Sequence, residues 1–300
     1  MRKIDIKDLM QSSPFVRDNT NVEAMIRDKR VLITGAGGSI GSELARQILN
    51  LNPQKLVLLD NSEFNLYTIT QNIPASKGYL ADVRDLGRLR SIFKDEQPQI
   101  VFHAAALKHV PIVEDNQIEG YKTNVSGTNN VVYVCSMNFV STMVFISTDK
   151  AVNPTNFMGR YKRAAEELCL AEHRTVVRFG NVLGSSGSVV PLFERQIAAG
   201  GPVTITDPDI ERYFMSIDEA VELVLHAATL PPGLYVLDMG HPVKIIDLAR
   251  DMIRLAGYMP ETEIPIEIVG LRPGEKIRED LFYSHENQFE TALPGIIRAV

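Results

Sequence analysis

Cysteine, histidine, positive charge and long apolar runs are all in short supply in this chain. Its two cysteines, Cys135 and Cys169, have neither metal-ligand spacing nor a histidine pattern beside them, so both read as reduced core or near-surface residues. The six histidines are scattered, and no metal is expected. No apolar run approaches the ~18 residues that a membrane span needs. Met1-Arg2-Lys3-Ile4-Asp5 also lacks a signal-peptide core, which together predicts a cytoplasmic protein with no membrane span. A formal net charge of -6 disfavours a nucleic-acid surface.

What is present is ordinary globular material: 300 residues, 45% hydrophobic and 23% charged, enough for one large domain plus a lobe, or two domains. Residues 1–28 look polar and irregular, with Ser12-Ser13-Pro14 as a breaker, and read as a docking arm. From Lys29 the rhythm becomes strand, turn, helix. Val31-Leu32-Ile33-Thr34 is apolar throughout, as a parallel strand covered on both faces should be. Gly35-Ala36-Gly37-Gly38-Ser39-Ile40-Gly41 follows and leads into a helix. Glycines at 35, 38 and 41 permit a tight turn, close approach to a pyrophosphate and close helix-sheet packing, with the helix N-terminus offering N–H donors.

A glycine turn alone is weak, and a flexible loop explains it as well. Here a second strand, Leu56-Val57-Leu58-Leu59, ends in Asp60, about where a ribose ligand belongs in a dinucleotide fold. No Arg or Lys follows in Asn61-Ser62-Glu63, so the cofactor expected is NAD rather than NADP. Asp82 and Val83 close a further short strand and either meet an adenine edge or belong to an acidic loop capping the helix from Leu86. Ala104 and Ala105, after Ile100–His103, either let a dinucleotide lie against the backbone or simply permit close packing. His103 reads as a satisfied core histidine.

The alternation predicts an α/β protein with a doubly wound parallel sheet over 29–180. Residues 181–300 are then mainly a smaller lobe covering the cleft, a return to the sheet being left open. The chemistry is expected where Met143–Ile146 ends in Ser147-Thr148-Asp149-Lys150, since open α/β sheets bind ligands at the carboxyl ends of their strands. Asn153 or Asn156 can cap a helix starting within a residue or two of Met158. Met158 and Lys162, i and i+4, would then face the strand end that carries Thr148. Singly, each of these residues has a plain structural explanation as cap, core or solvated face; together with the glycine turn and Asp60 they point to a site.

These stretches resemble the extended short-chain dehydrogenase/reductases (Rossmann fold), and within them the CapD-like UDP-N-acetylglucosamine 4,6-dehydratases. The likeness covers nearly the whole chain from Lys29. It rests on Thr34–Leu44, His103–Pro111, Ser147–Asn156, Arg212-Tyr213-Phe214-Met215 and Gly270-Leu271-Arg272-Pro273-Gly274-Glu275-Lys276. Members usually carry a Tyr four residues before the active-site Lys, where this chain has Met158. The membrane-anchored subgroup that retains the sugar's C5 configuration has Met there too; this chain looks like a soluble version of it. Arg160-Tyr161 is a second departure, and Tyr161 lies ~100° around the helix from Lys162, which favours packing or substrate contact over a displaced catalytic phenol.

The resemblance implies an internal redox cycle. NAD takes a hydride from C4, water leaves across C5 and C6, and the hydride returns to C6. Lys150 matches the C5 base and Asp149 the acid for the departing C6 hydroxyl, the two sharing one proton with the substrate. Thr148 would bond the C4 oxygen, and Lys162 would hold the nicotinamide ribose. Met158 has no proton to exchange, so Asp149 acting through water would take the C4 hydroxyl proton. For a UDP-N-acetyl-hexosamine the match places Asn181 near the pyrophosphate, Arg212 and Arg272 on phosphate or uridine, Glu275 on the uridine ribose and Lys108 near the sugar. Relatives form homo-oligomers, and the same is expected here. The alternatives are a C5-inverting dehydratase, a nucleotide-sugar 4-epimerase and, more distantly, a non-catalytic NAD-sensing protein.

Overall fold

The computed structural model describes residues 18–300. Nine strands form one sheet: β1 (Arg30–Thr34), β2 (Lys55–Asp60), β3 (Lys77–Leu80), β4 (Ile100–His103), β5 (Thr142–Ile146), β6 (Thr175–Arg178), β7 (Leu234–Leu237), β8 (Gln288–Glu290) and β9 (Ile296–Ala299). Their spatial order is 8-9-7-6-5-4-1-2-3. Strands β1 to β7 are mutually parallel, while β9 runs antiparallel to both neighbours. The run 3-2-1-4-5-6 reverses direction between β1 and β4, which opens a crevice at their carboxyl ends.

Apolar side chains on both faces make these strands interior ones. Leu32, Val57 and Val101 pack beneath the helices Leu86–Glu96, Thr128–Met137 and Phe157–Ala171. Val31, Ile33 and Leu58 pack against Ser39–Leu49 and Ile217–Ala227. The chain after residue 180 does two things. It returns to the sheet as β7, β8 and β9, and it builds a separate core in which Leu183, Phe193, Ile205, Leu248 and Met252 are enclosed.

The N-terminal expectation needs correction. Thr20–Ile26 is a helix, with Val22 and Ile26 buried against the sheet-side core, where an irregular arm was expected. Two apolar residues four apart supply the stripe that holds so short a helix; the Ser12-Ser13-Pro14 breaker lies outside the described residues. The acidic loop does cap Leu86–Glu96: the Asp85 side chain accepts from Arg88 N–H. Cys135 and Cys169 are buried free thiols, and burial pushes Cys169 up to about 12. No helix among the described residues is long and apolar enough to cross a membrane.

Candidate active site

A cleft of about 700 Å³ lies across the carboxyl ends of β1, β4, β5 and β6 and under the C-terminal lobe. Its floor begins at the glycine turn. Gly35 adopts φ +65, and a Cβ there would stand 2.7 Å from the Ala105 backbone. A Cβ on Gly41 would come within 2.1 Å of the Gly35 carbonyl oxygen. Only hydrogen fits at either place, so the turn and the helix Ser39–Leu49 can close up. No side chain caps that helix, and its first N–H groups stay available to an anion. The cradle therefore fits the pyrophosphate of a dinucleotide.

Gly35, Gly37, Gly38, Ser39, Ile40, Gly41 and Ala104 all line the cleft. Ala105 does not; its backbone abuts Gly35, which is the packing explanation for a small residue there. Asp60 is also off the wall and braces the turn instead: Oδ2 accepts from Gly37 N–H and Oδ1 from Ser62 N–H, both at 2.9 Å. Each oxygen keeps a lone pair for a ribose hydroxyl. Asp82 is paired with Arg84 at 2.6 Å, and Val83 is buried in the helix-sheet core, so neither reaches the wall. His103 is a core residue, bonded to Thr34 Oγ1 at 2.7 Å and Thr128 Oγ1 at 3.0 Å. Burial and the Lys162 charge push it down to about 3, which keeps it neutral.

At the centre, Asn156 caps the helix Phe157–Ala171 by accepting from Gly159 N–H at 2.8 Å. That start places Met158 and Lys162 on the cleft wall with Thr148 and Lys150. Lys162 Nζ donates to the Ile146 carbonyl at 2.6 Å and stands 4.0 Å over the Phe145 ring. Burial pushes it down to about 8, against the pull of Glu166. Asp149 is fully buried and is not part of the wall, contrary to a direct contact with a departing hydroxyl. It is one hydrogen bond back: Thr148 Oγ1 donates to its Oδ1 at 2.9 Å and Lys150 Nζ at 3.0 Å. Tyr161 packs in an aromatic cluster, 5.7 Å from Tyr121 and 5.9 Å from Phe157 by ring centroids, away from the cleft.

The substrate-side residues Lys108, Asn181, Arg212, Arg272 and Glu275 all line the same cleft. Burial lowers the Lys108 ammonium from its ordinary value. Asn181 is already engaged, accepting from Lys150 Nζ at 3.1 Å. Arg212 spends donors on the carbonyls of Glu211, Lys276 and Ile277 and faces Glu275 at 3.5 Å. Arg272 and Glu275 arrive from far along the chain because residues 274–283 are sewn across the Ala151–Asn156 loop. Thr155 and Asn156 donate to the Gly274 carbonyl, Lys276 Nζ to Val152 and Tyr283 OH to Ala151. Sequence reasoning missed two features. The Ser185–Val189 loop forms wall, and a Cβ on its Gly187 would strike the His109 ring at 2.4 Å. Glu279, just past the Gly270–Lys276 motif, stands 3.7 Å from Lys150 Nζ, and extending that motif by three residues would have reached it.

The strand order, the glycine cradle and the Met-x-x-x-Lys helix beside a Thr-Asp-Lys strand end define an extended short-chain dehydrogenase/reductase with a Rossmann fold. Residues 31–300 match the family described as "Polysaccharide biosynthesis protein", and the chain belongs to it. The probable polysaccharide biosynthesis protein EpsC of Bacillus subtilis is 45% identical over 99% of this chain and 52% of its own length. This chain thus spans about half of that relative. Two shorter relatives are each 34% identical and covered over 80% of their length. They are a UDP-N-acetylglucosamine 4,6-dehydratase (inverting) of Campylobacter jejuni, over 88% of this chain, and a UDP-glucose 4-epimerase of Rickettsia bellii, over 87%. Among solved structures, Pen from Bacillus thuringiensis superposes with a TM-score of 0.84 at 34% identity, covering 91% of this chain and 86% of that one.

Proposed function

We propose that this protein is an NAD-dependent nucleotide-sugar 4,6-dehydratase, with UDP-N-acetylglucosamine as substrate and retention at C5. The observation that carries it is the hydrogen-bonded trio Thr148, Asp149 and Lys150 opening onto the cleft that also holds the glycine cradle, Met158 and Lys162. A bound nicotinamide dinucleotide supplies reversible hydride transfer with a sugar carbon. NAD rather than NADP is supported by Asp60, whose carboxylate would repel a 2′-phosphate.

The chain's own groups then move protons. The C4 hydroxyl proton has no phenol to accept it, since the Met158 thioether exchanges none; it passes to Asp149 through a water or through the Thr148 hydroxyl, which donates to Asp149 Oδ1 at 2.9 Å. Oxidation at C4 acidifies the C5 proton, and Lys150 removes it. The C6 hydroxyl departs as water with the proton Asp149 had taken, handed back through the Thr148 hydroxyl or the same water since Asp149 itself is off the wall, and Lys150 returns its own to C5. Proton count and charge close over the cycle. Lys162 holds the nicotinamide ribose, and Arg212, Arg272 and Glu275 receive the UDP end. A plain 4-epimerase has no elimination for an acid-base pair to assist.

Proton NMR of the protein with UDP-N-acetylglucosamine and NAD in D2O tests the reading. The expected result is a new C6 methyl signal, deuterium at C5 and a C5 coupling pattern of retained configuration. An inverted C5 would make it the inverting dehydratase. A C4 epimer without methyl would make it an epimerase, and unchanged substrate after overnight incubation a binding protein.

A further inference from the structure

Asn156 is 7% exposed, lies off the cleft wall and joins two distant segments through one amide. Its Oδ1 accepts from Gly159 N–H at 2.8 Å, which caps the helix carrying Met158 and Lys162. Its Nδ2 donates to the Gly274 carbonyl at 3.0 Å, and the neighbouring Thr155 hydroxyl donates to the same oxygen at 2.8 Å. A helix cap needs only an acceptor, which Ser, Thr or Asp supplies as well. The amide adds a donor on a separate atom, whereas a carboxylate has no donor and a hydroxyl must do both tasks from one oxygen a bond closer to the backbone. The bond to Gly274 is therefore what asparagine contributes here beyond the cap.

Gly274 belongs to a turn that is closed on itself. Glu275 N–H donates to the Arg272 carbonyl at 3.0 Å, and Arg272 N–H to Glu275 Oε2 at 3.1 Å. Pro273 and Gly274 occupy the middle, and Gly274 takes the φ of +76 that a type II turn requires at its third residue. A Cβ on Gly274 would stand 2.7 Å from the Asn156 Cβ, so the turn rests directly on that residue. The two side chains that the turn presents to the cleft, Arg272 and Glu275, flank the clamped carbonyl within two residues. A closed turn moves as a unit, and its tie at Gly274 sets where both side chains stand. Beyond the clamp, Glu275 meets Arg212 at 3.5 Å and Lys276 Nζ reaches the Val152 carbonyl at 2.9 Å. Losing the clamp thus loosens the turn without freeing the segment.

We propose that Asn156, together with Thr155, positions the Arg272–Glu275 turn for the nucleotide end of the substrate, a task separate from its helix cap. The assignment rests on the nucleotide-sugar reading above. Asn156 acts through the turn and is a positioning residue.

The test is calorimetric binding of UDP and, separately, of NAD to wild type, Asn156→Ser, Asn156→Asp and Thr155→Val. Asn156→Asp keeps the capping oxygen and turns the donor into an oxygen facing the Gly274 carbonyl. Asn156→Ser keeps a capping oxygen without adding charge. Expected is UDP affinity about three- to tenfold weaker in Asn156→Ser and Thr155→Val, the loss of one neutral hydrogen bond, and weaker still in Asn156→Asp, with NAD affinity within about twofold in all three. Thr155 is exposed, so its variant carries the test if neither Asn156 variant folds. Unchanged UDP affinity in any variant that folds overturns the assignment. So does an equal loss of UDP and NAD affinity, which would leave Asn156 as a cap alone. Wild-type protein that binds NAD but not UDP sinks the nucleotide-sugar reading itself and this assignment with it.

Discussion

Replacing Arg178 with Met should unfold much of what holds the substrate-side segment in place. The Arg178 side chain is fully enclosed, and its guanidinium bonds Glu166 at 2.9 and 3.1 Å, Glu286 at 3.0 and 3.2 Å and the Leu281 carbonyl at 3.0 Å. Methionine fills similar space with no donor. Glu166 would keep Ser147 and a 3.5 Å approach from Arg163, and Glu286 the Tyr283 N–H and Arg163 at 3.8 Å. Two buried carboxylates would then depend on one partly exposed arginine. Stranding a buried charge in this way costs about 3–5 kcal/mol, a large share of the roughly 5–15 kcal/mol that holds a domain together. Urea unfolding at neutral pH, extrapolated linearly to water, measures it. Leu281 and Glu286 lie in the same C-terminal stretch as Glu275 and Glu279, so limited proteolysis should cut residues 270–290 faster in the variant. Adding Glu166→Gln and Glu286→Gln should recover part of the loss, because the uncompensated charges are gone. A cost under about 1 kcal/mol with cutting unchanged would mean that the network is not what anchors the segment.

Gly41→Ala forces a Cβ to 2.1 Å from the Gly35 carbonyl oxygen, so calorimetric NAD binding should be lost, with about 1–3 kcal/mol of overpacking visible in thermal unfolding; unaltered NAD affinity would refute the cradle. Met158→Leu conserves volume at a buried position and should cost under about 1.5 kcal/mol and leave turnover within a few-fold. Lost turnover with intact binding would give the thioether an active role. Lys162, pushed down to about 8 by burial, binds fewer protons folded than unfolded between about pH 8 and its ordinary 10.5. Its charge-burial penalty is therefore present in full below 8 and relieved as pH climbs through that window. Apo wild type should gain stability relative to Lys162→Met from pH 8 to 10 in urea titrations; a constant difference contradicts the burial.

Chain order alone carried the sheet from β1 to β6, the glycine turn, the cap-to-lysine spacing at Asn156, Met158 and Lys162, and the core character of His103. These depend on neighbours within a few residues or on apolar periodicity, both written locally. What tertiary structure decided came from contacts between distant segments. The helix Thr20–Ile26 exists because Val22 and Ile26 find the core. Asp60 is spent on the turn it faces across 23 positions, and Asp149 is withdrawn from the wall because Thr148 and Lys150 stand in front of its hydrogen-bonding oxygen. Residues 274–283 cross the Ala151–Asn156 loop more than a hundred residues away, deliver Glu275 to the cleft wall and bury Glu279 behind it, 3.7 Å from Lys150 Nζ. Periodicity reports which face of an element is apolar, but not which remote loop will lie over it. The desolvation that makes Glu279 and Lys162 chemically unusual is set by that covering, and so it becomes visible only in the folded chain.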